Sequence, residues 1–449
     1  MAMCVAVAAI PAVHAGDQSG LQPVISTTGE FLDFDWPAIR TASASYEEGP
    51  TGVTVFHFPE RAYVAIDARG GGPGTDNAPY MQLGYDIREL DTIVFAGGSW
   101  YGLEATTAVA SALKDDGIRD GNVFGKDPNL AMSVGSIIFD FGDRRLNEIY
   151  PDKKLAQAAF RAAETGRFPL GAAGAGRNAR SGYFFGCNAH SGQGGAYREL
   201  SDLKIAAFVV VNAFGAVTDR EGRIAACYGH PEWPADVHIA DVLEHFPASR
   251  ESGWAVTSGS DEMPKNTTIS LIVTNQRMSP ADLNRLAAQV HTSMARAIQP
   301  FATVGDGDVL YAVSTAELDE PAMYNFDLAT LASEVMWDAI LASVPEQPQG
   351  RVPSEGPLHQ PGELAEFAGD YVFSETATLR VTAQGQKLFG HAVGSRNVFL
   401  VGKDEPVELL PVSVTGFMVP GRYPMSLEFT APGTLVVNPG RWQQVGTRR

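Results

Sequence analysis

The spacing of apolar residues predicts alternating strands and helices over most of the chain. Runs rich in β-branched and aromatic residues predict strands at 53–58, 63–67, 137–141, 205–212, 268–274 and 309–314. Apolar residues at helical spacing predict helices over the Ala-rich segment that ends near Leu113, at 153–163, between Ser279 and Pro300, and at 328–341. Strands alternating with helices of one-sided apolarity indicate an α/β fold with layered packing.

A change of pattern divides the chain into regions. The segment 345–362 is rich in Pro, Gly and Gln, which predicts a linker. Beyond it helix signals nearly vanish, and short alternating runs follow at 378–381, 398–401, 407–410, 426–429 and 435–437. We therefore expect a main domain at 30–345, a linker at 346–362 and a small all-β domain at 363–449.

The N-terminus is a short apolar stretch that ends in Val13-His14-Ala15, a small-x-small pattern followed by polar residues. This pattern is typical of a secretory signal, although the positively charged start is missing. Residues 1–15 are therefore predicted to be a signal segment and the protein to be periplasmic or secreted; the alternative is a disordered segment or a buried strand. No apolar run approaches the ~18 residues of a transmembrane helix, so no membrane partner is expected.

Charge and cysteine content remove several function classes. The 449 residues carry 52 acidic and 33 basic side chains, a net charge of −19, which argues against nucleic acid as a partner. Cys187 and Cys227, which remain after signal removal, show no zinc spacing; they either pair or are two buried thiols. Neither a metal nor a cofactor is predicted.

Two other patterns resemble ligand sites but favour an ordinary explanation. The segment 174–179 fits the dinucleotide pattern GxGxxA, but no predicted strand and helix flank it as such a site requires, so we predict a flexible loop. His238, Asp241 and His245 would share one helical face, yet they match no zinc motif and indicate a solvated helix.

The pair Asn266-Thr267 follows a long polar segment and precedes a predicted buried strand. With Thr268 it fits the glycosylation pattern N-x-[ST], which is short and common. It also fits self-cleavage, because a Thr at a chain N-terminus carries its own base, an amine with a pKa of about 7.7–8.

A second candidate is Asp306-Gly307-Asp308, which lies between a predicted helix and a predicted strand. Two carboxylates one residue apart can approach one site, where they could hold a Thr ammonium or relay its proton. The alternative is an ordinary acidic turn.

Several motifs in order resemble one family. They are NTTISLIVTN at 266–275, HTSMAR at 291–296, QPF at 299–301 and GDGD at 305–308, supported by 46–52, 97–104 and 334–339. Together they resemble the self-processing N-terminal-nucleophile hydrolases that include D-aminopeptidase/esterases, β-aminopeptidases and nylon-oligomer endohydrolases. The resemblance covers roughly residues 30–345.

The resemblance implies a four-layer αββα sandwich, assembled as oligomers of cleaved α and β chains. It implies cleavage between Asn266 and Thr267, with Thr267 as the freed nucleophile, and Asn212 as a residue that helps to bind the oxyanion. Asp306 and Asp308 match the acidic pair of the nylon hydrolases, whereas the aminopeptidase branch typically has Ser and Glu there.

Two positions depart from the family pattern. Phe139 stands where many relatives have Tyr, and Tyr183 stands where nylon hydrolases carry Lys. Both positions are expected near the substrate or the oxyanion, so these changes concern the substrate range. The domain after the linker is additional, and its start at 367–371 resembles lipocalin-like domains appended to some serine hydrolases.

The activity that the resemblance implies is hydrolysis of small linear amides, such as nylon-type 6-aminohexanoate oligomers, or of small peptides. One alternative is an aminopeptidase on short or β-amino peptides. Another is a non-catalytic binding protein that keeps the fold, which an uncleaved chain would indicate.

Overall fold

The computed structural model describes residues 18–82, 88–124, 129–141, 147–185, 189–226, 238–244, 266–344, 353–354, 358–360, 362–373, 377–394, 398, 401–419, 425–437 and 444–449. The predicted signal segment, Cys187, Cys227 and His245 lie outside these ranges, as does the polar segment up to residue 265. Within them, no helix is both long and apolar enough to cross a membrane.

The main domain contains strands and helices in alternation. Its strands are β1 Val24–Ile25, β2 Phe31–Asp33, β3 Arg40–Tyr46, β4 Thr51–Ala68, β5 Thr75–Asp76, β6 Glu89–Ala96, β7 Ser133–Ile137, β8 Glu164–Thr165, β9 Arg167–Pro169, β10 Arg180–Ser181, β11 Ala189–His190, β12 Gln193–Leu200, β13 Leu203–Asn212, β14 Ala216–Val217, β15 Thr267–Gln276, β16 Ile298–Gln299 and β17 Val309–Leu318. Its helices are α1 Ala78–Gln82, α2 Ser99–Gly102, α3 Glu104–Asp115, α4 Lys153–Arg161, α5 Ile239–Glu244, α6 Pro280–Ser293 and α7 Asn325–Ala342.

Most of these strands join one sheet. Its order is β12-β13-β15-β17-β4-β6-β7-β5, and β3 pairs with β4 and carries β1 and β8 at its side. The β15–β17 and β6–β7 ladders are parallel, whereas β13–β15 and β17–β4 are antiparallel. The strands predicted at 205–212, 268–274 and 309–314 are confirmed as β13, β15 and β17.

The long strand β4 corrects one expectation. The sequence predicts two strands separated at Pro59, but one strand of 18 residues runs through this position. The ladder to β6 shifts register between His57 and Ala62, and Arg61 takes a positive φ of 55°. A β-bulge leaves the proline nitrogen outside the regular ladder, so Pro59 does not end the strand.

The strand predicted at 137–141 is also placed wrongly, because β7 occupies Ser133–Ile137. Three of the five residues of β7 are Ser or Gly, so the strand lacks the run of large apolar side chains by which a buried strand is recognised. A Cβ at Gly135 would collide with Thr106 of α3, so the close approach of that helix requires a glycine here. Because these residues are small, the apolar pattern of the sequence does not indicate a strand here.

Alternate residues of β4 enter three different apolar cores. Phe56 and Val64 belong to a core lined mainly by strands, together with Phe95, Phe208 and Tyr311 of neighbouring strands. The side chain of Val55 faces a core that α3 and α4 cover. Ala65 belongs to the core under α6 and α7. Helices therefore cover the sheet in two separate places.

The predicted start of α6 is confirmed, but its predicted end at Pro300 is wrong. The helix ends at Ser293, a 3-10 turn follows at Met294–Arg296, and β16 precedes the proline. Ser279 caps α6 by accepting a hydrogen bond from Asp282 N, and Pro280 occupies the first helical position. The helices predicted at 153–163 and 328–341 are confirmed as α4 and α7. These ends fix where the loops that follow the helices begin, including the loop after α6 that leads to β17.

The C-terminal domain is a closed barrel of eight strands. They are β18 Gly369–Val372, β19 Thr378–Gln384, β20 Lys387–Ala392, β21 Val407–Pro411, β22 Gly416–Val419, β23 Met425–Ala431, β24 Thr434–Val437 and β25 Gln444–Arg448. Tyr371 of the first strand pairs with Arg448 of the last, so the barrel has no open edge there. The strand predicted at 398–401 lies partly outside the described residues, and its two described ends, Val398 and Val401, are joined by an isolated bridge.

We expect the two domains to unfold as separate units. Phe208 is buried in the main domain and Phe417 in the barrel. Replacing a buried Phe by Ala typically costs about 3–5 kcal/mol. In calorimetry, Phe417→Ala should lower one transition and Phe208→Ala the other. A joint shift of both transitions in either variant would show that the boundary at the linker is misplaced.

Candidate active site

The predicted site residues meet at the start of β15. Thr267 lies opposite Asn212, the last residue of β13. One residue earlier, Asn266 forms a parallel bridge with Asp306, which extends the register of the β15–β17 ladder. Asp308 immediately precedes β17. Strand pairing therefore brings all five residues to one end of the sheet.

The carbonyl group of Asn266 accepts hydrogen bonds from two donors. The backbone N–H of Gly307 donates to it at 2.8 Å, and Thr267 Oγ1 donates at 2.5 Å. The residue is held at its other polar atoms as well: its N–H donates to Gly305 O at 3.3 Å and its Nδ2 to Asn212 O at 3.2 Å. The carbonyl before Thr267 is thus fixed beside the Thr267 hydroxyl.

Asp306 is a buried carboxylate that is satisfied by nearby donors. Its Oδ2 accepts from Thr303 N at 3.0 Å and from Thr303 Oγ1 at 2.6 Å, and its Oδ1 accepts from Phe214 N at 3.3 Å. Burial raises the pKa of Asp306, and these hydrogen bonds partly oppose that rise.

Asp308 is buried more deeply, with 1% of its surface exposed. Its Oδ1 accepts from Thr268 N at 2.5 Å and its Oδ2 from Ala302 N at 3.0 Å. Burial, and secondly the neighbouring charge of Asp306, raise the pKa of Asp308 to about 8. The pair therefore favours holding a proton at neutral pH, and a cation placed between the carboxylates would favour its release.

A glycine turn that sequence analysis did not assign to the site lies against the two aspartates. Gly72 N donates to Asp306 O at 2.9 Å, and Gly70 N donates to Asp308 O at 3.3 Å. A Cβ at Gly70 would collide with the backbone of this acidic segment. The cluster of glycines at 70–74 was the available signal, because glycine allows such a close backbone approach.

Asn212, Phe139 and Tyr183 lie around the same strand end. Asn212 Nδ2 donates to Phe139 O at 2.9 Å, and Asn212 Oδ1 accepts from Arg180 N at 3.1 Å. The ring of Tyr183 lies 6.0 Å from that of Phe214, whose backbone N–H donates to Asp306. The structure therefore brings Asn212, Asp306 and Asp308 to the Asn266–Thr267 bond. It links Phe139 to this strand end through Asn212, and Tyr183 through Phe214.

The segment 174–179 is buried, which corrects the expectation of a flexible loop. It begins with a 3-10 turn at Gly174–Gly176 that packs on β4, where Ala175 N donates to Thr54 Oγ1 at 3.1 Å. It lacks the strand-to-helix context of a dinucleotide site. Among the residues that the structure describes, no group of three or more His, Cys, Asp or Glu side chains could hold a metal ion.

A cleft of about 590 Å³ opens beside this segment. Its lining includes Glu47, Glu48 and Arg177 of the main domain and Phe373 and Val445 of the barrel. Arg177 and Glu47 form an ion pair at 2.6 Å. With two carboxylates and one guanidinium, the charged lining of the cleft is acidic.

Comparison with known proteins identifies the family. The model of "Peptidase family S58" matches residues 35–347. The chain belongs to peptidase family S58. This S58 chain is 41% identical over 345 residues to a 6-aminohexanoate-oligomer endohydrolase of Paenarthrobacter ureafaciens, a match that covers 74% of the chain and 92% of that protein.

Two further relatives carry aminopeptidase names. The S58 chain is 33% identical over 287 residues to an uncharacterized aminopeptidase of Mycobacterium leprae, which covers 62% of the chain and 74% of that protein. A solved β-aminopeptidase structure from Burkholderia sp. is 16% identical with a TM-score of 0.48, and covers 70% of this chain and 88% of that one. The family and the names of the relatives matched by sequence support hydrolysis of amide or peptide bonds by this S58 chain.

We expect the raised pKa of Asp308 to make stability depend on pH. Between its ordinary value of 3.8 and its folded value of about 8, the folded state holds more protons than the unfolded state. The free energy of unfolding should therefore fall as pH rises from about 4 to about 8. Asp308→Asn should flatten part of this fall, since Asp306 contributes to it as well.

The measurement is urea unfolding at several pH values in a Thr267→Ala background, in which the hydroxyl beside the Asn266–Thr267 bond is absent. The control is Glu320→Gln, which removes an exposed carboxylate beyond the opposite end of β17 from Asp308. An equal pH slope in the Asp308→Asn variant and in this control would contradict the assignment.

Proposed function

We propose that this chain is an autocatalytically processed amide hydrolase whose nucleophile is Thr267, freed by cleavage of the Asn266–Thr267 bond. The observation that supports it most directly is the geometry of that bond. Its carbonyl oxygen accepts from Thr267 Oγ1 at 2.5 Å and from Gly307 N at 2.8 Å. The attacking hydroxyl and the reacting carbonyl are therefore neighbours before any reaction.

Processing would proceed by an N-to-O acyl shift. Thr267 Oγ forms a bond to the carbonyl carbon of Asn266, the C–N bond breaks, and the hydroxyl proton goes to the departing nitrogen. Water then hydrolyses the ester, which leaves a carboxylate on Asn266 and a free amine and hydroxyl on Thr267. Asp306 and Asp308, buried next to this point, would hold the new ammonium.

Turnover would use the same oxygen. The Thr267 amine acts as the base for its own hydroxyl, which attacks the substrate carbonyl and forms an acyl-enzyme. Asp306 and Asp308 would orient the amine, because both carboxylates are fixed by backbone donors. Asn212 would contribute to oxyanion binding, and Tyr183 and Phe139 would contact the substrate near the same strand end.

The proposed substrates are small linear amides such as 6-aminohexanoate oligomers, or small peptides. The supporting relative from Paenarthrobacter ureafaciens is matched over 92% of its length. The cleft beside 174–179 is lined by none of the residues around Thr267, so the substrate proposal rests on this relative and not on the cleft. The barrel lies outside the family match at 35–347, so the part of the cleft that it lines does not belong to the matched family domain.

The remaining parts of the proposal concern layers, assembly and location. Helices α3 and α4 on one side, and α6 and α7 on another, are consistent with a four-layer αββα sandwich. Cleaved α and β chains would assemble as oligomers. The apolar stretch at 1–15 supports export to the periplasm or the medium.

An aminopeptidase is the second candidate. The relative from Mycobacterium leprae carries an aminopeptidase name. The two candidates differ in whether the free amine is required.

We expect Thr267→Ala to abolish both self-cleavage and amide hydrolysis, because both use the same oxygen. Thr267→Ser retains a hydroxyl and should still be cut, at a lower rate. The matched control is Thr268→Val, since neighbouring strand residues point to opposite faces and the volume is kept. A denaturing gel and the N-terminal sequence of the smaller fragment report the outcome.

Two results would contradict the nucleophile assignment. One is a Thr267→Ala chain that is still cut after Asn266. The other is a wild-type chain that stays intact, which would instead favour a non-catalytic binding protein on this fold.

Blocking the substrate amine should separate the two candidate activities. An endohydrolase is expected to cleave a 6-aminohexanoate trimer and its N-acetylated form at similar rates, because the internal amide is unchanged. An aminopeptidase would lose activity on the acetylated form. The measurement is kcat/KM for both substrates with wild-type protein, and Thr267→Ala serves as the blank for background hydrolysis.

A further inference from the structure

The parallel pairing of β15 with β17 determines which backbone N–H donates to the Asn266 carbonyl. In a parallel ladder one residue sends its N–H and its C=O to the two residues that flank its partner. Asn266 is paired with Asp306, so its N–H donates to Gly305 O and its carbonyl accepts from Gly307 N. The same register continues through β15 and β17, beginning with the pair Ile269 and Val309.

We propose that the backbone N–H of Gly307 is an oxyanion donor, first for self-cleavage and then for substrate turnover. This inference rests on the proposed function of Thr267. The Gly307 nitrogen lies 2.8 Å from the Asn266 oxygen, within the range of about 2.7–3.1 Å that an oxyanion donor requires. Because the ladder holds this N–H in place, it needs no rearrangement when negative charge develops.

Self-cleavage and substrate turnover both pass through an ester on Thr267 Oγ. After the N-to-O shift, the acyl carbon of Asn266 is bonded to Thr267 Oγ, as the acyl carbon of a substrate is in turnover. The carbonyl oxygen of each acyl group therefore occupies the same position relative to Thr267. Once the Asn266 carboxylate leaves, the Gly307 N–H is free to receive the oxygen of the substrate.

The position also explains why a glycine separates the two aspartates. A Cβ on residue 307 would lie 2.8 Å from Thr267 Oγ1 and 2.8 Å from Gly72 O. Both are too close for carbon, so a side chain here would displace the nucleophile or the glycine turn. Glycine thus allows the donor and the nucleophile to be neighbours.

The contribution of the Asn212 side chain is distinct. Its Nδ2 donates to Phe139 O and its Oδ1 accepts from Arg180 N, whereas its backbone carbonyl accepts from Asn266 Nδ2. In the continuous chain this residue therefore holds the neighbouring loops and the Asn266 side chain. The Gly307 N–H is the main-chain donor on the reacting oxygen itself.

The test replaces one backbone N–H by an ester oxygen. Glycolic acid in place of Gly307, introduced by nonsense suppression in the full chain, removes the donor and adds no atom. It also weakens the Asp306 carbonyl as an acceptor. Glycolic acid in place of Gly72 is the matched control, because it removes the donor to that same Asp306 carbonyl and leaves the Asn266 carbonyl untouched.

Loss of one oxyanion donor lowers a rate by about 10²–10³. We expect the Gly307 ester to slow self-cleavage by this factor, with fragments identified by N-terminal sequence, while the Gly72 ester cleaves nearly as wild type. In the fraction that matures, kcat should fall and KM should hardly change. Equal cleavage by the two esters would overturn the proposal, whereas an uncut wild-type chain would overturn the proposed function instead.

A second measurement uses the unaltered mature protein. A boronic acid that forms a tetrahedral adduct with Thr267 Oγ places a negatively charged centre where the oxyanion develops. With ¹⁵N-glycine and ¹³C-carbonyl aspartate labelling, only Asp-Gly pairs give a coupled signal, and Asp116→Asn with Asp120→Asn leaves that of Gly307. The Gly307 amide proton should shift downfield on adduct formation. An unshifted Gly307 resonance in the adduct would overturn the proposal even where the ester variants fail to fold.

Discussion

The parallel register between β15 and β17 is the constraint on which the site depends. It places Asp306 beside Asn266, Gly307 beside the scissile carbonyl, and Asp308 beside the N–H of Thr268. A slip of one residue would turn every side chain of β15 to the opposite face of the sheet. The buried apolar residues of this strand, which alternate between two cores, would oppose such a slip.

The electrostatics of the site depend on this geometry. Two carboxylates buried close together oppose each other's ionisation. Four backbone N–H groups and the Thr303 hydroxyl donate hydrogen bonds that partly offset this cost. A buried pair of this kind is unfavourable in a continuous chain. It becomes favourable when a cation arrives, and the amine of a cleaved Thr267 would supply that charge at the position where it is needed.

The sequence indicated this site through several short motifs whose order resembles one family, because none of them decides it alone. Asn266-Thr267 and Asp306-Gly307-Asp308 can be recognised as short patterns, and the strands around them are apolar and regular. The role of Gly307 could not be predicted in the same way. It depends on which residue of β17 faces which residue of β15, and this is a property of pairing between segments far apart in the chain.

Other elements show the same limit. The strand β7 was displaced in the prediction because its small residues reflect contact with α3, a tertiary requirement. The break expected at Pro59 is a bulge within one strand, because β4 pairs with β6 both before and after this position. The glycine turn at 70–72 was noted as a cluster, but its partner segment lies more than two hundred residues away.

The order of the strands has a consequence for a cut chain. Both β15 and β17 follow Asn266, yet β15 pairs with β13 and β17 pairs with β4, which precede it. Two fragments would therefore be interwoven in one sheet and remain associated without a covalent link. Refolding after full denaturation would then require two molecules to meet, so cleavage would replace a unimolecular equilibrium by a concentration-dependent one. The persistence of the mature protein would be set by how slowly its sheet opens rather than by how readily it reforms.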